Sequence, residues 1–349
     1  MLYSFSNPLL FIAIFFYSIG ANCSNTQVVI LGSPTIDHYF FLTKKQLKSS
    51  IDDYENDWLP IDRNMLAKVL KTSEVNPTVC LGGSGVNIAR GLSYLGLKTH
   101  LIGKIGDDEK SEYYANKLLQ CGLTTNLNRE PLPMGHALCF ITPDGNRITR
   151  TYLGASHAIT HMNLSKNLFC SDIKYIHIEG YQLADQQLVL DLLKIAKDKK
   201  IKVSLDLASA EIVQRNADFI RDILKNYIDI VFCSDDQSRI ITNLPPCDAC
   251  DKLSELCDIV VIGTYFDGIW IKGKKDKFFQ TLSPLKVIDP YGASDLFACG
   301  FLYGQINNFS LHQSAGIGKL LVQYIVKRIG CDMPKTVWDE INERIKKEF

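Results

Sequence analysis

Short β-branched runs that alternate with helical patterns constrain the fold of this chain more than any other feature. The runs lie at residues 28–31, 101–102, 175–178, 203–205, 228–232 and 259–262. Helical patterns lie at 86–95, 110–121, 186–199, 217–225, 294–305, 311–328 and 336–348. This alternation predicts an α/β fold in which a mostly parallel sheet is covered by helices on both faces. Such a doubly wound sheet binds its ligand beyond the carboxyl ends of the strands.

Two segments interrupt the alternation. Residues 39–79 are long, charged and irregular, and residues 136–152 alternate about the turn Pro143-Asp144-Gly145 as a hairpin does. The sequence shows no repeat or low-complexity linker that would divide the core. These segments are therefore expected to be an excursion from one domain.

Length, composition and charge set the class of protein. With 349 residues and 46% hydrophobic residues, the chain can bury one large α/β core or two modest domains. Lys plus Arg and Asp plus Glu are equal at 38 each, which argues against an extended basic surface for nucleic acid. Any phosphate binding must be local.

Residues 289–297 have the features of a phosphoryl-transfer site. Small residues at Gly292, Ala293 and Ser294 allow backbone N–H groups to approach an anion at the start of a helix. A phosphate would repel the carboxylate of Asp295, so this residue makes sense as the base that takes a proton from an attacking hydroxyl. The alternatives are an ordinary helix cap for Asp295 and a simple turn for the three small residues.

A second glycine-rich segment is suited to bind a hydroxylated acceptor. Gly82 and Gly83 let backbone approach a sugar, and the Asn87 amide one helical turn later offers a donor and an acceptor to hydroxyl groups. The Asp37 carboxylate can accept from two adjacent hydroxyls. The alternative for the two glycines is that they simply end a strand. The alternative for Asp37 is a turn residue at the end of a strand.

These segments resemble the ribokinase and adenosine kinase family, the PfkB carbohydrate kinases. The first family signature matches at Gly82, Gly83, Gly85, Asn87 and Ala89. The second signature, Asp-Thr-x-Gly-Ala-Gly-Asp, reads here as 289–295 with Pro290 and Ser294 as departures. The resemblance extends from about residue 28 to about residue 334. Within it, residues 142–156 and 328–331 resemble the adenosine-kinase-like branch of the family.

The resemblance implies a ribokinase-like fold with a small β lid and assigns further residues. The kinase domain would span 25–349, with lid contributions from about 38–79 and 136–152. Ser33 and Asp37 would contact the acceptor, and Thr264, Gly268 and Asp289 would bind ATP. The family implies ATP, Mg²⁺ and a monovalent cation. Asp235 or Asp236 would handle the metal indirectly, because Gln237 replaces the usual Glu, and Phe266 replaces a glycine near the nucleotide.

The N-terminus is expected to be a separate segment. Residues 9–19 are apolar but short for a transmembrane span, and small residues follow them. The sequence predicts a signal or targeting segment at 1–24, which would direct the chain to the secretory pathway or an organelle and leave no membrane span after cleavage. A cytoplasmic protein is the alternative. The 11 cysteines are scattered through the expected core, so reduced thiols are expected.

Two functions remain open on the sequence. The first is ATP-dependent phosphorylation of a primary hydroxyl on a nucleoside or sugar, by a monomer or homodimer. The family resemblance favours a nucleoside. The second is a catalytically weak relative that binds a nucleoside or sugar, because Pro290, Ser294, Phe266 and Gln237 all depart from the pattern on the phosphate side.

Overall fold

The computed structural model describes residues 26–51, 58–143, 147–157, 164, 169, 172–264, 267–282 and 287–349. The predicted targeting segment 1–24 and Phe266 lie outside these residues. Within the described part, no helix is both long enough and apolar enough to cross a membrane.

A nine-stranded sheet forms the centre of the molecule. Its strands are β1 (Val28–Leu31), β5 (Thr99–Ile105), β6 (Thr124–Arg129), β9 (Tyr175–Ile178), β10 (Lys202–Asp206), β11 (Ile230–Ser234), β12 (Ile259–Gly263), β13 (Gly268–Lys272) and β14 (Lys277–Thr281). They are ordered β14-β13-β12-β11-β10-β9-β1-β5-β6. All pairs from β12 to β6 are parallel, and β13 and β14 add an antiparallel edge. The predicted, mostly parallel α/β sheet is confirmed.

Helices cover both faces of this sheet. They are α3 (Ser84–Tyr94), α4 (Glu109–Gln120), α5 (Gln186–Lys199), α6 (Ala210–Asn226), α7 (Asp235–Thr242), α8 (Pro246–Leu253), α9 (Ala293–Ile306), α10 (Leu311–Ile325) and α11 (Lys335–Glu348). One buried cluster joins the sheet to α3, α9 and α10, and another joins the opposite face to α5, α6 and α8. Because helices cover both faces of the sheet, side chains on both sides of each central strand are buried, which explains the continuous β-branched runs in the sequence.

A second, five-stranded sheet forms the lid. It contains β2 (Thr35–Phe41), β3 (Trp58–Pro60), β4 (Thr78–Gly82), β7 (Gly135–Ile141) and β8 (Arg147–Tyr152), in the order β3-β8-β7-β2-β4. Two helices, α1 (Lys44–Ser50) and α2 (Arg63–Thr72), lie between its first strands. Leu47 and Val69 from these helices are buried against Phe40 and Phe140. The lid sheet thus has a small core of its own.

The interval 39–79 is more regular than the sequence pattern indicates. Both of its helices begin with a side-chain cap. Thr43 and Gln46 form a capping box, and Asp62 accepts from the Met65 amide. A capped helix of one to three turns carries little hydrophobic periodicity of its own, so it depends on packing against the lid strands.

Candidate active site

The candidate site lies where the order of the strands in the central sheet reverses. β5 and β6 follow β1 on one side of it, and β9 to β12 are added in turn on its other side. Beyond the ends of β1 and β9, one oxygen of Glu179 accepts from the amides of Ser33 at 2.7 Å and Gly85 at 3.1 Å. The Glu179 carboxyl group therefore holds the first turn and the start of α3 together at the expected edge of the sheet.

The two glycine-rich segments meet at Asp295. Its carboxylate accepts from the Ser84 hydroxyl at 2.8 Å and from the Asn87 amide nitrogen at 2.9 Å. These residues lie 211 and 208 positions away along the chain. Asp295 stands in the first turn of α9 and faces the first turn of α3. The structure thus brings the predicted base and the predicted acceptor segment into direct contact.

Asp37 lies immediately against the predicted acceptor segment. A Cβ atom at Gly82 would lie 1.9 Å from Oδ1 of Asp37, so only glycine fits beneath this carboxylate. Thr35 donates to the same oxygen at 3.1 Å. Gly83 precedes α3 as its N-cap residue. Asp37, Gly82, Gly83 and Asn87 are therefore grouped as the sequence indicates, and their contact with an acceptor stays a prediction.

The cleft concentrates acidic side chains. The pKa of Asp37 is raised to about 7, mainly by burial and in part by the neighbouring Asp295 carboxylate. Burial likewise raises the pKa of Glu179 to about 8 and that of Asp206 to about 7, with Asp295 acting in the same direction on both. The pKa of Asp295 is raised by burial, while hydrogen bonds from Asn87 and Ser84 oppose this. Each carboxylate is thus a stronger base than in water.

Glu179 and Asp206 were not identified from the sequence as site residues. Glu179 directly follows β9, and Asp206 ends β10, so both stand at the carboxyl end of a parallel strand. That position is the signal that could have revealed them, because polar residues there face the ligand crevice. Glu179 is 1% exposed, and its partners are supplied by segments about a hundred residues or more away in sequence.

The turn before α9 is shaped by Gly292. This residue adopts φ 73° and ψ 2°, and a side chain here would collide with Sγ of Cys331. The Ala293 amide donates to the Pro290 carbonyl at 3.1 Å and closes the turn. That bond uses the Ala293 amide within the turn, and the anion hole at Gly292, Ala293 and Ser294 stays a prediction. Ser294 lies in ordinary helical backbone, so the departure from glycine introduces no strained φ.

The lid is attached to this turn by strand β8. Arg147 forms an ion pair with Asp289, and the ring of Tyr291 lies 5.0 Å from the Arg147 guanidinium carbon. The Tyr291 hydroxyl also bonds the Thr149 hydroxyl. We call the four residues Arg147, Thr149, Asp289 and Tyr291 the lid clasp.

The contacts of Asp289 organise the turn before α9. Its carboxylate is 0% exposed and accepts from the amides of Tyr291 and Gly330 at 2.9 Å each, in addition to Arg147. The predicted ATP-binding role of Asp289 stays a prediction.

The remaining predicted nucleotide residues form a hairpin at the end of β12. The Thr264 amide and hydroxyl both donate to the Gly268 carbonyl, at 2.9 and 3.0 Å. These bonds fix the hairpin geometry beside the carboxyl end of the strand. Whether the two residues contact ATP stays a prediction.

The described acidic residues do not form a ready metal cage. Asp235 is paired with Arg239 at 2.6 Å, and Gln237 is buried with its amide nitrogen donating to the Ala208 carbonyl. Gln237 also completes a capping box with Ser234. No group of three His, Cys, Asp or Glu side chains suited to a metal occurs within the described residues. The roles of Asp235 and Asp236 stay predictions.

A doubly wound sheet, a lid and a carboxylate at a helix start are compatible with a kinase for a small hydroxylated molecule. The chain belongs to the pfkB family of carbohydrate kinases, whose family model matches residues 46–337. It is a phosphotransferase that acts on a hydroxyl group of a sugar or nucleoside, and the family implies ATP as the phosphate donor.

Known relatives fall on both sides of the sugar–nucleoside division. A nucleoside kinase of Methanocaldococcus jannaschii is 26% identical over 269 residues, which is 76% of this chain and 85% of that protein. A 5-dehydro-2-deoxygluconokinase of Clostridium perfringens is 26% identical over 285 residues, 77% of this chain and 84% of that protein.

Solved structures show the same fold. A probable sugar kinase from Rhizobium etli has a TM-score of 0.83 at 23% identity and covers 93% of this chain and 98% of its own. Adenosine kinase from Sinorhizobium meliloti has a TM-score of 0.82 at 21% identity, with 90% and 99% covered. The predicted family and the ribokinase-like fold are confirmed.

Proposed function

We propose that this protein transfers the γ-phosphoryl group of ATP to a primary hydroxyl of a nucleoside, with a sugar as the alternative acceptor. The observation that carries the proposal is the contact of Asp295 with Ser84 and Asn87, which joins a carboxylate at a helix start to the glycine-rich segment. A nucleoside is favoured by the adenosine-kinase-like pattern at 142–156 and by the nucleoside kinase among the relatives.

Asp295 acts as the general base in this proposal. The acceptor hydroxyl oxygen forms a bond to the γ-phosphorus, the bond to the bridging oxygen of ADP breaks, and the hydroxyl proton passes to Asp295. Burial raises the pKa of Asp295, which increases its affinity for that proton. Hydrogen bonds from Asn87 and Ser84 hold the carboxylate in one orientation before the acceptor arrives.

Asp37 and Asn87 position the acceptor. The Asn87 amide nitrogen is used by Asp295, while its Oδ1 is buried with no hydrogen-bond partner among the described residues. A buried oxygen with an unused hydrogen-bond acceptor is suited to receive a hydrogen bond from a hydroxyl of the bound nucleoside or sugar. Asp37 supplies a carboxylate beside Gly82, where the absence of a side chain leaves room for that carboxylate.

Mg²⁺ would enter with the nucleotide. Mg²⁺ usually keeps several waters and is held by substrate phosphates together with one or two carboxylates. It would supply charge neutralisation of the phosphates. The chain's own contribution at the start of α9 is the pair of amides at Gly292 and Ser294, beside the helix N-terminus.

The acceptor assignment is tested by binding and turnover with a panel of nucleosides and sugars in the presence of Mg-ATP. For the acceptor that is phosphorylated, Asp37→Ala and Asn87→Ala should each weaken binding by about 1 to 3 kcal/mol, because each leaves buried hydroxyls without a partner. Asp339→Ala on α11 is a matched control at an exposed helix position. Parent-like affinity in both site variants would disprove this placement of the acceptor.

A binding protein with weak catalysis is the second candidate. It is favoured by Gln237, whose buried amide is fully committed to the α7 cap and to Ala208 where relatives are expected to carry an acidic residue. This candidate replaces the first if the panel yields a tight acceptor but no phosphorylated product.

A further inference from the structure

A second cavity lies one helical turn along α3 from Asn87. It has a volume of about 380 Å³ and is enclosed by α3, α4, the edge strand β4 and residues 332–334. None of the residues that line it belongs to the candidate active site described above. Its volume is within the range of small-molecule sites.

Arg90 is the polar centre of this cavity. The residue is 6% exposed, and its Nη2 forms an ion pair with Asp332. Its Nε and Nη1 are buried without an oxygen or nitrogen partner among the described residues, and the Cys121 thiol is a further hydrogen-bonding neighbour of the guanidinium. A buried guanidinium whose donors are only partly used favours a nearby anionic group. Arg90 therefore places a positive charge in the wall of the cavity.

The other lining residues extend the match to an anion with an apolar part. Lys117 of α4 adds a second cation, with its Nζ 5.6 Å from the ring centre of Tyr113. Against these two positive groups the lining contains one acidic residue, Asp332. The rings of Tyr94 and Tyr113, with Val79 of β4, supply an aromatic and aliphatic wall. Tyr113 and Val79 are 55% and 53% exposed, so the cavity opens to solvent along this wall.

We propose that the cavity at Arg90 and Lys117 is a second binding site, for a small molecule that carries a carboxylate or phosphate on an apolar body. The anionic group accepts from Arg90 and Lys117, and the apolar body lies against Tyr94 and Tyr113. Arginine is suited to both anions because its planar donors match carboxylate and phosphate oxygens.

Calorimetric titration with phenyl phosphate and benzoate tests the proposal, with phenol as the uncharged comparison. The parent protein should bind at least one of the two anions with a Kd of about 1 mM or tighter, an ordinary value for ligands of this size, and phenol about tenfold more weakly or not at all. Tighter binding of phenyl phosphate would identify the natural ligand as a phosphate, and tighter binding of benzoate would identify it as a carboxylate.

Variants separate this site from the phosphate-binding end of α9. Arg90→Gln and Lys117→Met should each weaken anion binding about tenfold or more, while Lys346→Met, at an exposed position on α11, should bind as the parent does. If Arg90→Gln does not fold, Lys117→Met alone decides the result. Absence of binding to the parent, equal binding of phenol, or parent-like anion binding in the cavity variants would each overturn the proposal.

Discussion

At the residue scale, the candidate site depends on carboxylates whose position is fixed by glycine and amide neighbours. The sequence indicated Asp295 and Asn87 because they stand beside short glycine-rich segments, and Asp37 because its carboxylate can accept from two adjacent hydroxyls. It did not indicate Glu179, whose amide partners at Ser33 and Gly85 belong to other segments. A single acidic residue after a strand acquires this role only when the sheet order brings those segments together.

Glu179 also makes the stability of the fold depend on pH. Burial raises its pKa from an ordinary 4.5 to about 8, so the folded state keeps a proton that the unfolded chain releases at lower pH. The stabilisation from the protonated form is therefore complete below pH 4.5 and is lost as the pH rises through about 8. Glu179 should therefore lower the thermal midpoint across this interval, against the opposite contribution of buried histidines such as His38 and His177, whose pKa values burial lowers to about 3.

Glu179→Gln keeps an oxygen that can accept from Ser33 and Gly85 but cannot ionise. The thermal midpoint of this variant, relative to that of the parent at the same pH, should rise between pH 4.5 and about 8, as measured by calorimetry at a series of pH values. Glu343→Gln, at an exposed site on α11, is the matched control and should keep the pH dependence of the parent over this interval. Identical pH dependence in parent and Glu179→Gln would show that the buried carboxyl does not contribute to it.

At the scale of elements, the periodicity of hydrophobic residues predicted the positions of the long helices and the central strands well. α5 lies where the pattern placed it, at Gln186–Lys199. α6 begins at Ala210, earlier than residue 217, because Asn216 has non-helical backbone that interrupts the pattern within it. α7 and α8 have only eight residues each and show too little periodicity to be recognised as helices. α7 begins with a capping box at Ser234, and α8 begins with Pro246 in its first turn and has no side-chain cap.

The lid clasp is an element-scale contact that no sequence pattern revealed. Tyr291 occupies the variable position of the second signature and bonds Thr149 of β8. A double-mutant cycle with Thr149→Val and Tyr291→Phe, measured by chemical unfolding, should give a coupling free energy of about 0.5 to 1.5 kcal/mol. Thr149→Val combined with Tyr303→Phe, on a later turn of α9, should be additive. A coupling near zero in the first pair would exclude a stabilising clasp.

At the scale of the whole molecule, the alternating pattern determined the sheet, while the lid depended on pairings between distant segments. Strand β2 pairs with β7 across a hundred residues, and β3 pairs with β8. A local sequence pattern carries no information about those registers. The family resemblance therefore implied a lid, but the sequence did not predict its five-stranded order.

The core of the molecule begins at the first described residues. Gln27 donates to the Lys98 carbonyl at 2.8 Å and accepts from the Lys174 amide at 2.8 Å, so it already joins both neighbours of β1. A chain that starts at Asn25 should be soluble and should keep the thermal midpoint of the full chain, as measured by calorimetry of both. Insolubility of the shorter chain alone would show that residues 1–24 contribute to folding rather than to targeting.

Asp295→Asn tests the central claim most directly, because the variant keeps the size of the side chain but cannot readily accept a proton. Turnover of the acceptor found in the panel should fall roughly 10²-fold or more, while acceptor affinity stays close to that of the parent. Asp339→Asn on α11 is the matched control and should keep parent turnover. The measurement is the rate of ADP formation together with calorimetric affinity for the acceptor. Retention of most of the parent rate by Asp295→Asn, with unchanged affinity, would contradict its assignment as the base.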